Sequence, residues 1–192
     1  MVQVSQKELV AGAIAHKVVS FPTDTVPALA VKPERAELIY QLKQRPTHKP
    51  LILMGATIAD LLPYVDYTPS QLLIWKQLTD RHLPGALTLV LPASAKVPDA
   101  VNPTDFNTVG IRVPNHPTAR EILQQTGVLA TSSANISGED TITTMQEIDR
   151  AFPTVLVLKT QTQQVTGSGL PSTVVSWQDR NWQVLRQGSV KI

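Results

Sequence analysis

The stretch TVGIRVPNHPTAREILQQTGVLATSSANISG, residues 108–138, decides the fold class. It reads as strand, loop, helix, strand, loop. Arg112 sits inside the first strand. The second strand ends in small hydroxyl residues and an amide: Thr131, Ser132, Ser133, Asn135 and Ser137. Loops at strand ends are where open α/β sheets usually bind ligands. Short donors and acceptors with little bulk suit a small polar or phosphorylated ligand. The same residues also make ordinary turns, so segments further out have to decide between the two.

Toward the N-terminus, Ser5 and Glu8 form a capping box that starts a helix. Leu9, Val10, Ala13 and Ile14 make its apolar stripe. Residues 18–21 read as a buried strand that Pro22 ends, and Pro22-Thr23-Asp24-Thr25 is a polar loop. Residues 28–31 are a second short strand. Pro33 suits the first turn of a helix to about Lys43. Pro46 disfavours helical geometry at Arg45, so an extended turn is expected at 44–45, with Lys43 and Arg45 on one side. Residues 51–54 form a buried strand. Thr57 and Asp60 cap a short helix, and Thr68 with Gln71 opens another running to about Leu78, with Trp75 as core. A strand follows at 87–91. Residues 92–107 form a long loop, and loops of that length are often functional, so a mobile cover is expected.

Beyond the central stretch, Thr143 with Gln146 caps a helix to about Phe152, and residues 155–158 form a strand. Residues 159–171 are a polar, Gly-containing loop. Residues 172–177 and 182–187 make a final hairpin. Strands interleave with helices, which gives an α/β fold with a mixed sheet.

A chain of 192 residues fits a single domain, taken as residues 1–192. With no Cys there is no disulfide scaffold and no thiolate metal site. No apolar run approaches the ~18 residues of a membrane helix, so no membrane role is expected, and the absence of Cys is compatible with the cytoplasmic location expected here. The net charge of +2 is too small to argue for nucleic acid alone. Its distribution says more: Lys32, Arg35, Lys43, Arg45 and Lys49 form one basic segment, and Arg180, Arg186 and Lys191 another. They either converge into one positive face or form two solvated edges.

Several chemistries are excluded. There is no P-loop, no G-x-G-x-x-G after a strand and no G-x-S-x-G elbow. His16, His48, His82 and His116 lie too far apart for a zinc pair, and no metal-ligating residues are assigned; His48 alone sits in a basic loop. What remains is a set of polar loops after strands, holding cations without evident acid partners. Such cations suit phosphate or carboxylate. No strong base or nucleophile stands out, which points to catalysis by positioning and charge stabilisation, as in nucleotidyl transfer.

Seven segments occur in order: Pro22-Thr23-Asp24-Thr25; Lys43-Gln44-Arg45; Pro84-Gly85 with Thr88; Gly110-Ile111-Arg112-Val113-Pro114; Ser133-Ala134-Asn135 with Ser137-Gly138; Ser172-Thr173-Val174-Val175; and Arg186-Gln187-Gly188. In this the chain resembles the YrdC-like family, the threonylcarbamoyl-AMP synthases, in its short single-domain form, over roughly residues 5–190. The resemblance implies a twisted α/β sheet with flanking helices and a large concave positive cavity. It implies formation of L-threonylcarbamoyladenylate from L-threonine, bicarbonate and ATP, with Mg²⁺ and release of pyrophosphate. A partner transferase would then modify adenosine 37 of tRNA, and the basic face would bind tRNA or double-stranded RNA. By motif position, Lys43 and Arg45 are the catalytic phosphate holders, and Ser133, Asn135 and Arg186 bind the nucleotide. Thr23, Thr25, Arg112, Ser172 and Thr173 take the threonine.

The chain departs from that pattern at Val26-Pro27-Ala28-Leu29, where the family carries an aromatic and a glycine at the two middle positions. Proline fixes φ and removes a donor, and alanine adds a Cβ. A reshaped threonine pocket, or an RNA-binding paralogue with an altered pocket, is the alternative this implies.

Overall fold

The structure is a computed structural model and describes residues 3–160 and 167–192. The elements in order are β1 (Gln3–Val4), α1 (Gln6–Ile14), β2 (Val19–Phe21), β3 (Ala28–Val31), α2 (Glu37–Lys43), β4 (Ile52–Met54), α3 (Ile58–Leu61), α4 (Pro69–His82), β5 (Leu87–Pro92), β6 (Thr108–Arg112), α5 (Pro117–Thr126), β7 (Leu129–Ser133), α6 (Met145–Ala151), β8 (Leu156–Leu158), β9 (Thr173–Gln178) and β10 (Asn181–Arg186). All ten strands join one sheet in the order β1-β8-β2-β3-β7-β4-β6-β5-β9-β10. It is mixed: β4 and β6 are parallel, for example, while β7 is antiparallel to both β3 and β4.

The pleat divides the central strands into two faces. Leu29, Leu53, Leu89, Ile111 and Ala130 point one way and are fully buried. They belong to the core that also takes Leu9 and Ala13 of α1 and Ile122 and Leu123 of α5. The alternate residues face the other way. Ile52 pairs with both Gly110 and Thr131, Met54 with Arg112, and Ala28 with Ser133. Val90 pairs with Gly110 and Ser176 on the same side. This face mixes small and polar residues with Ile52, Met54 and Val90, and the cavity lies on it. Gly110 is required there: a Cβ would stand 2.7 Å from the Ile52 side chain.

Three helix starts follow the expected caps. Ser5 with Glu8, Thr57 with Asp60 and Thr68 with Gln71 each make a reciprocal capping box. The last helix differs, because Thr144 with Glu147 caps it in place of Thr143. The stretch after Pro33 is a 3-10 turn before α2 begins at Glu37. The loop at 92–107 is no free cover. It folds a short turn at Asp99–Val101, and the Val101 carbonyl accepts from the Leu51 amide at 2.9 Å and the Tyr40 hydroxyl at 3.1 Å. The fully buried Val101 side chain explains why the loop lies down as a wall. Part of the polar loop expected at 159–171 lies outside the described residues; its end, 167–171, packs on the Thr23–Thr25 turn.

Candidate active site

The cavity has two lobes that meet at Arg45, Pro50, Ile52, Ser172 and Arg186. The smaller is about 230 Å³ and is lined by Thr23, Thr25, Pro27, Ala28, Arg112 and Ser133 among others. The larger, about 450 Å³, runs over Thr88, Thr108, Val174 and Ser176 toward His48 and Asp105.

Arg112 anchors the inner end. It closes β6 and is 4% exposed. Its Nε donates to the Gly85 carbonyl at 3.1 Å, one terminal nitrogen to Thr25 Oγ1 at 2.8 Å, and the other to Asp24 at 2.7 Å. The expectation that Arg112 has no acid partner is therefore corrected: the Pro22–Thr25 turn curls back and supplies Asp24. An Arg carries five N–H donors. Three have protein partners among the described residues, so each terminal nitrogen keeps one N–H for a ligand. Burial pushes the guanidinium pKa down, and Asp24 opposes that shift. The turn is itself clamped. Thr23 Oγ1 donates to the Val26 carbonyl at 2.7 Å, and the amides of Ser168 and Gly169 donate to the carbonyls of Asp24 and Thr25. Gly167, at φ +74°, approaches so closely that a Cβ would stand 2.4 Å from the Thr25 carbonyl oxygen.

Arg45 and Arg186 stand at the junction of the lobes. Each is aimed by backbone carbonyls rather than by acids. Arg45 donates to Lys49 at 2.7 Å and Pro50 at 3.0 Å, while Arg186 donates twice to Ser172, at 3.1 and 2.9 Å. Burial lowers both pKa values, and each of Arg45 and Arg112 also feels the charge of Arg186. One residue of each basic segment, Arg45 and Arg186, reaches this cavity, while Lys32 donates to the Thr126 carbonyl and Arg35 pairs with Glu37. Arg45, Arg112 and Arg186 share the cavity, and among the described residues no acid lines its smaller lobe.

Lys43 goes elsewhere. Gln44 adopts a left-handed conformation, φ 49°, as the C-cap of α2, and the Arg45 amide closes on the Tyr40 carbonyl at 2.9 Å. The K-x-R segment is a helix terminus, not extended chain, so its two cations point apart. Lys43 is 1% exposed and does not line the cavity. Its Nζ donates to the Ser133 carbonyl and to Asn135 Oδ1, the latter at 3.3 Å. Burial, then the charge of Arg45, lowers its pKa to about 7.

The structure therefore gathers Thr23, Thr25, Arg45, Arg112, Ser133, Ser172 and Arg186 on one cavity. It places three expected ligands behind the wall: Lys43, Asn135 and Thr173. Asn135 spends its amide on the carbonyls of Ile136 and Glu139, both at 2.8 Å. Thr173 is buried and holds the tail, donating to the Val190 carbonyl at 2.6 Å and accepting from the Gly188 amide. Each sits beside a lining residue in sequence but on the opposite side of the chain. Thr141 joins the lining without having been singled out, and Asp24 emerges as the partner of Arg112. Nothing in the local sequence marks Thr141. An acid between two cavity threonines was the available signal for Asp24. Pro27 and Ala28, the departure from the family pattern, both lie in the cavity wall.

The site is thus a pocket on one face of an α/β sheet with three arginines, Arg45, Arg112 and Arg186, around it. The chain belongs to the Sua5/YciO/YrdC family, whose profile, described as "Telomere recombination", matches residues 14–188. It is 34% identical over 182 residues to the threonylcarbamoyl-AMP synthase of Bacillus subtilis (strain 168), covering 91% of this chain and 51% of that protein. The threonylcarbamoyl-AMP synthase of Vibrio campbellii is 33% identical over 180 residues, covering 90% of this chain and 92% of that one. This chain thus spans about half of the longer relative and nearly all of the shorter. Among solved structures, P. abyssi Sua5 complexed with L-threonine superposes with a TM-score of 0.83 at 27% identity, over 97% of this chain and 55% of that one. E. coli YciO shares the fold, with a TM-score of 0.80 at 23% identity, over 99% of this chain and 93% of that one.

Proposed function

We propose that this chain is an L-threonylcarbamoyladenylate synthase, joining L-threonine, bicarbonate and ATP and releasing pyrophosphate. The observation that carries this is the cluster of Arg45, Arg112 and Arg186 on one cavity, compensated only at Arg112 by Asp24. The family supports it, through relatives named for this activity.

The two N–H groups left on the terminal nitrogens of Arg112 make a fork for the threonine carboxylate. Thr25 and Ser172 offer hydroxyls to the rest of the amino acid. Arg45 and Arg186 take the triphosphate, with Ser133 on the nucleotide side. The threonine amine gives up a proton and attacks the carbon of bicarbonate, and water leaves. A carbamate oxygen then attacks the α-phosphorus in line. A new P–O bond forms, the bond to the β-phosphate oxygen breaks, and pyrophosphate departs with that electron pair. Charge grows on the phosphoryl oxygens, and the two unpaired arginines offset it. Positioning does the rest, since no strong base lines the pocket. Among the described residues no cluster of acids or histidines fits a metal. The Mg²⁺ would arrive on the phosphates of ATP, and no residue is assigned to it.

The product is a mixed anhydride, which a partner transferase would pass to adenosine 37 of tRNA in the cytoplasm, with the chain acting as one domain. Among the described residues no helix is long and apolar enough to cross a membrane. The larger lobe, rimmed by Arg45, His48 and Arg186, would face RNA. The test is pyrophosphate release from ATP, expected only when threonine and bicarbonate are both present. Absence of release beside an active control overturns the reading. Pro27 and Ala28 in the wall favour one second reading, an RNA-binding paralogue with an altered pocket. Salt-sensitive RNA binding that survives Arg45→Ala, in a chain that binds no threonine, would establish it.

A further inference from the structure

Among the described residues Lys43 is a buried charged group near the site that the chemistry above leaves unused. A cation this deep is expected to face a carboxylate or a ligand anion. Among the described residues no acid pairs with it, and it lines neither lobe of the cavity. Its side-chain hydrogen bonds among the described residues all go to one short segment. Nζ donates to the Ser133 carbonyl and to Asn135 Oδ1, with Ser133 Oγ a further 3.5 Å away. The backbone joins in, since the Ser137 amide donates to the Lys43 carbonyl at 3.0 Å. Asn135 passes the restraint on, accepting from Ser133 Oγ at 2.6 Å and donating to Ile136 and Glu139. The carbonyls and amide oxygen around Nζ are the kind of dipoles that hold an ammonium without a counter-ion.

Ser133 is where this network meets the cavity, because it ends β7 and lines the smaller lobe. We propose that Lys43 is a positioning residue: it ties the end of α2 to residues 133–137 and so aims Ser133 at the nucleotide, without touching the nucleotide itself. Arg45, two residues on and turned away by the left-handed Gln44, is the cation that reaches the phosphates. This rests on the reading of the cavity as a nucleotide site, but the first readout below does not.

The test compares wild type, Lys43→Met, Asn135→Ala and the double variant. Methionine keeps length and loses every donor. Hydrogen exchange of the peptide covering 133–139 reports the tie directly, with no ligand present. Lys43→Met should speed exchange there about tenfold while the amides of β4 and β6 stay as slow as in wild type. Calorimetry with ATP and with threonine then reads the consequence. ATP affinity should fall at least tenfold, and threonine affinity should hold within threefold. The double variant should bind ATP no worse than Lys43→Met alone, because both changes cut one network. Unchanged exchange at 133–139 overturns the proposal. So do losses that add in the double variant, which would mean that Lys43 contacts the nucleotide by itself. If Lys43→Met does not fold, Asn135→Ala must give the same loosening and the same selective loss of ATP, and unchanged values there overturn the proposal equally. Wild-type protein that binds no ATP at all would refute the nucleotide reading, while the exchange result still judges the tie.

Discussion

The two ends of the small lobe hold their arginines in different ways. At the inner end Arg112 is buried, paired with Asp24 and tied to Thr25 and Gly85. At the junction Arg45 and Arg186 are aimed by carbonyls and have no acid partner among the described residues. A neutralised, rigid arginine gives direction with little net field, which suits the single carboxylate of an amino acid. Two uncompensated arginines give field, which suits a triphosphate that brings several negative charges. The same residue type thus serves geometry at one end and electrostatics at the other, and the neighbours decide which.

The strongest way to break this contrast is to remove the acid. Asp24→Asn leaves a buried guanidinium without its partner, and such losses cost about 3–5 kcal/mol. Denaturant unfolding should show a loss of that order, with threonine binding abolished. Arg45→Ala should leave folding nearly intact, with a Tm shift of about 2–4 °C for a 1 kcal/mol change. It should lower kcat/KM for ATP by about 100- to 1,000-fold, the scale of a lost charge-stabilising donor. Unfolding of Arg45→Ala would make Arg45 structural and erase the contrast.

Lys43 sharpens it in a third way. Its pKa in the folded chain, about 7, lies below its ordinary 10.5. The unfolded chain therefore binds more protons between these values, and stability rises with pH across that window. The penalty is full below pH 7. The slope is at most about 1.4 kcal/mol per pH unit for one proton. Stability measured from pH 7 to 9.5 should climb in wild type and climb less in Lys43→Met. The smallest effect expected is Ser172→Ala. It removes the 2.8 Å bond to Thr88 and one contact of Arg186, for about 1 kcal/mol and a roughly fivefold rise in threonine KM.

Much of the framework was legible in the sequence, because caps and pleat are local physics. Ser5, Thr57 and Thr68 announced their helices through the residue three places on. Arg112 inside one strand and the small hydroxyl residues that end the next marked segments that line the cavity. The motif segments located the cavity, yet they could not assign sides within a segment. Lys43 beside Arg45, Thr173 beside Ser172 and Asn135 beside Ser133 each pair one residue behind the wall with one that lines the cavity. The reason at Lys43 is a single left-handed residue, Gln44, which a proline two positions later did not foretell. The reason at Thr173 is the tail, whose Gly188 packs so tightly that a Cβ would stand 2.3 Å from the Pro171 carbonyl oxygen. The Asp24 to Arg112 pair spans 88 residues, and no local pattern encodes a contact of that range.

Calorimetric titration of wild type, Arg45→Ala and Arg112→Met with ATP and with L-threonine separately tests the division of the cavity most directly. The expected result is a crossed pattern: Arg45→Ala loses ATP at least tenfold and keeps threonine within threefold, while Arg112→Met does the reverse. Equal losses of both ligands in both variants would contradict it.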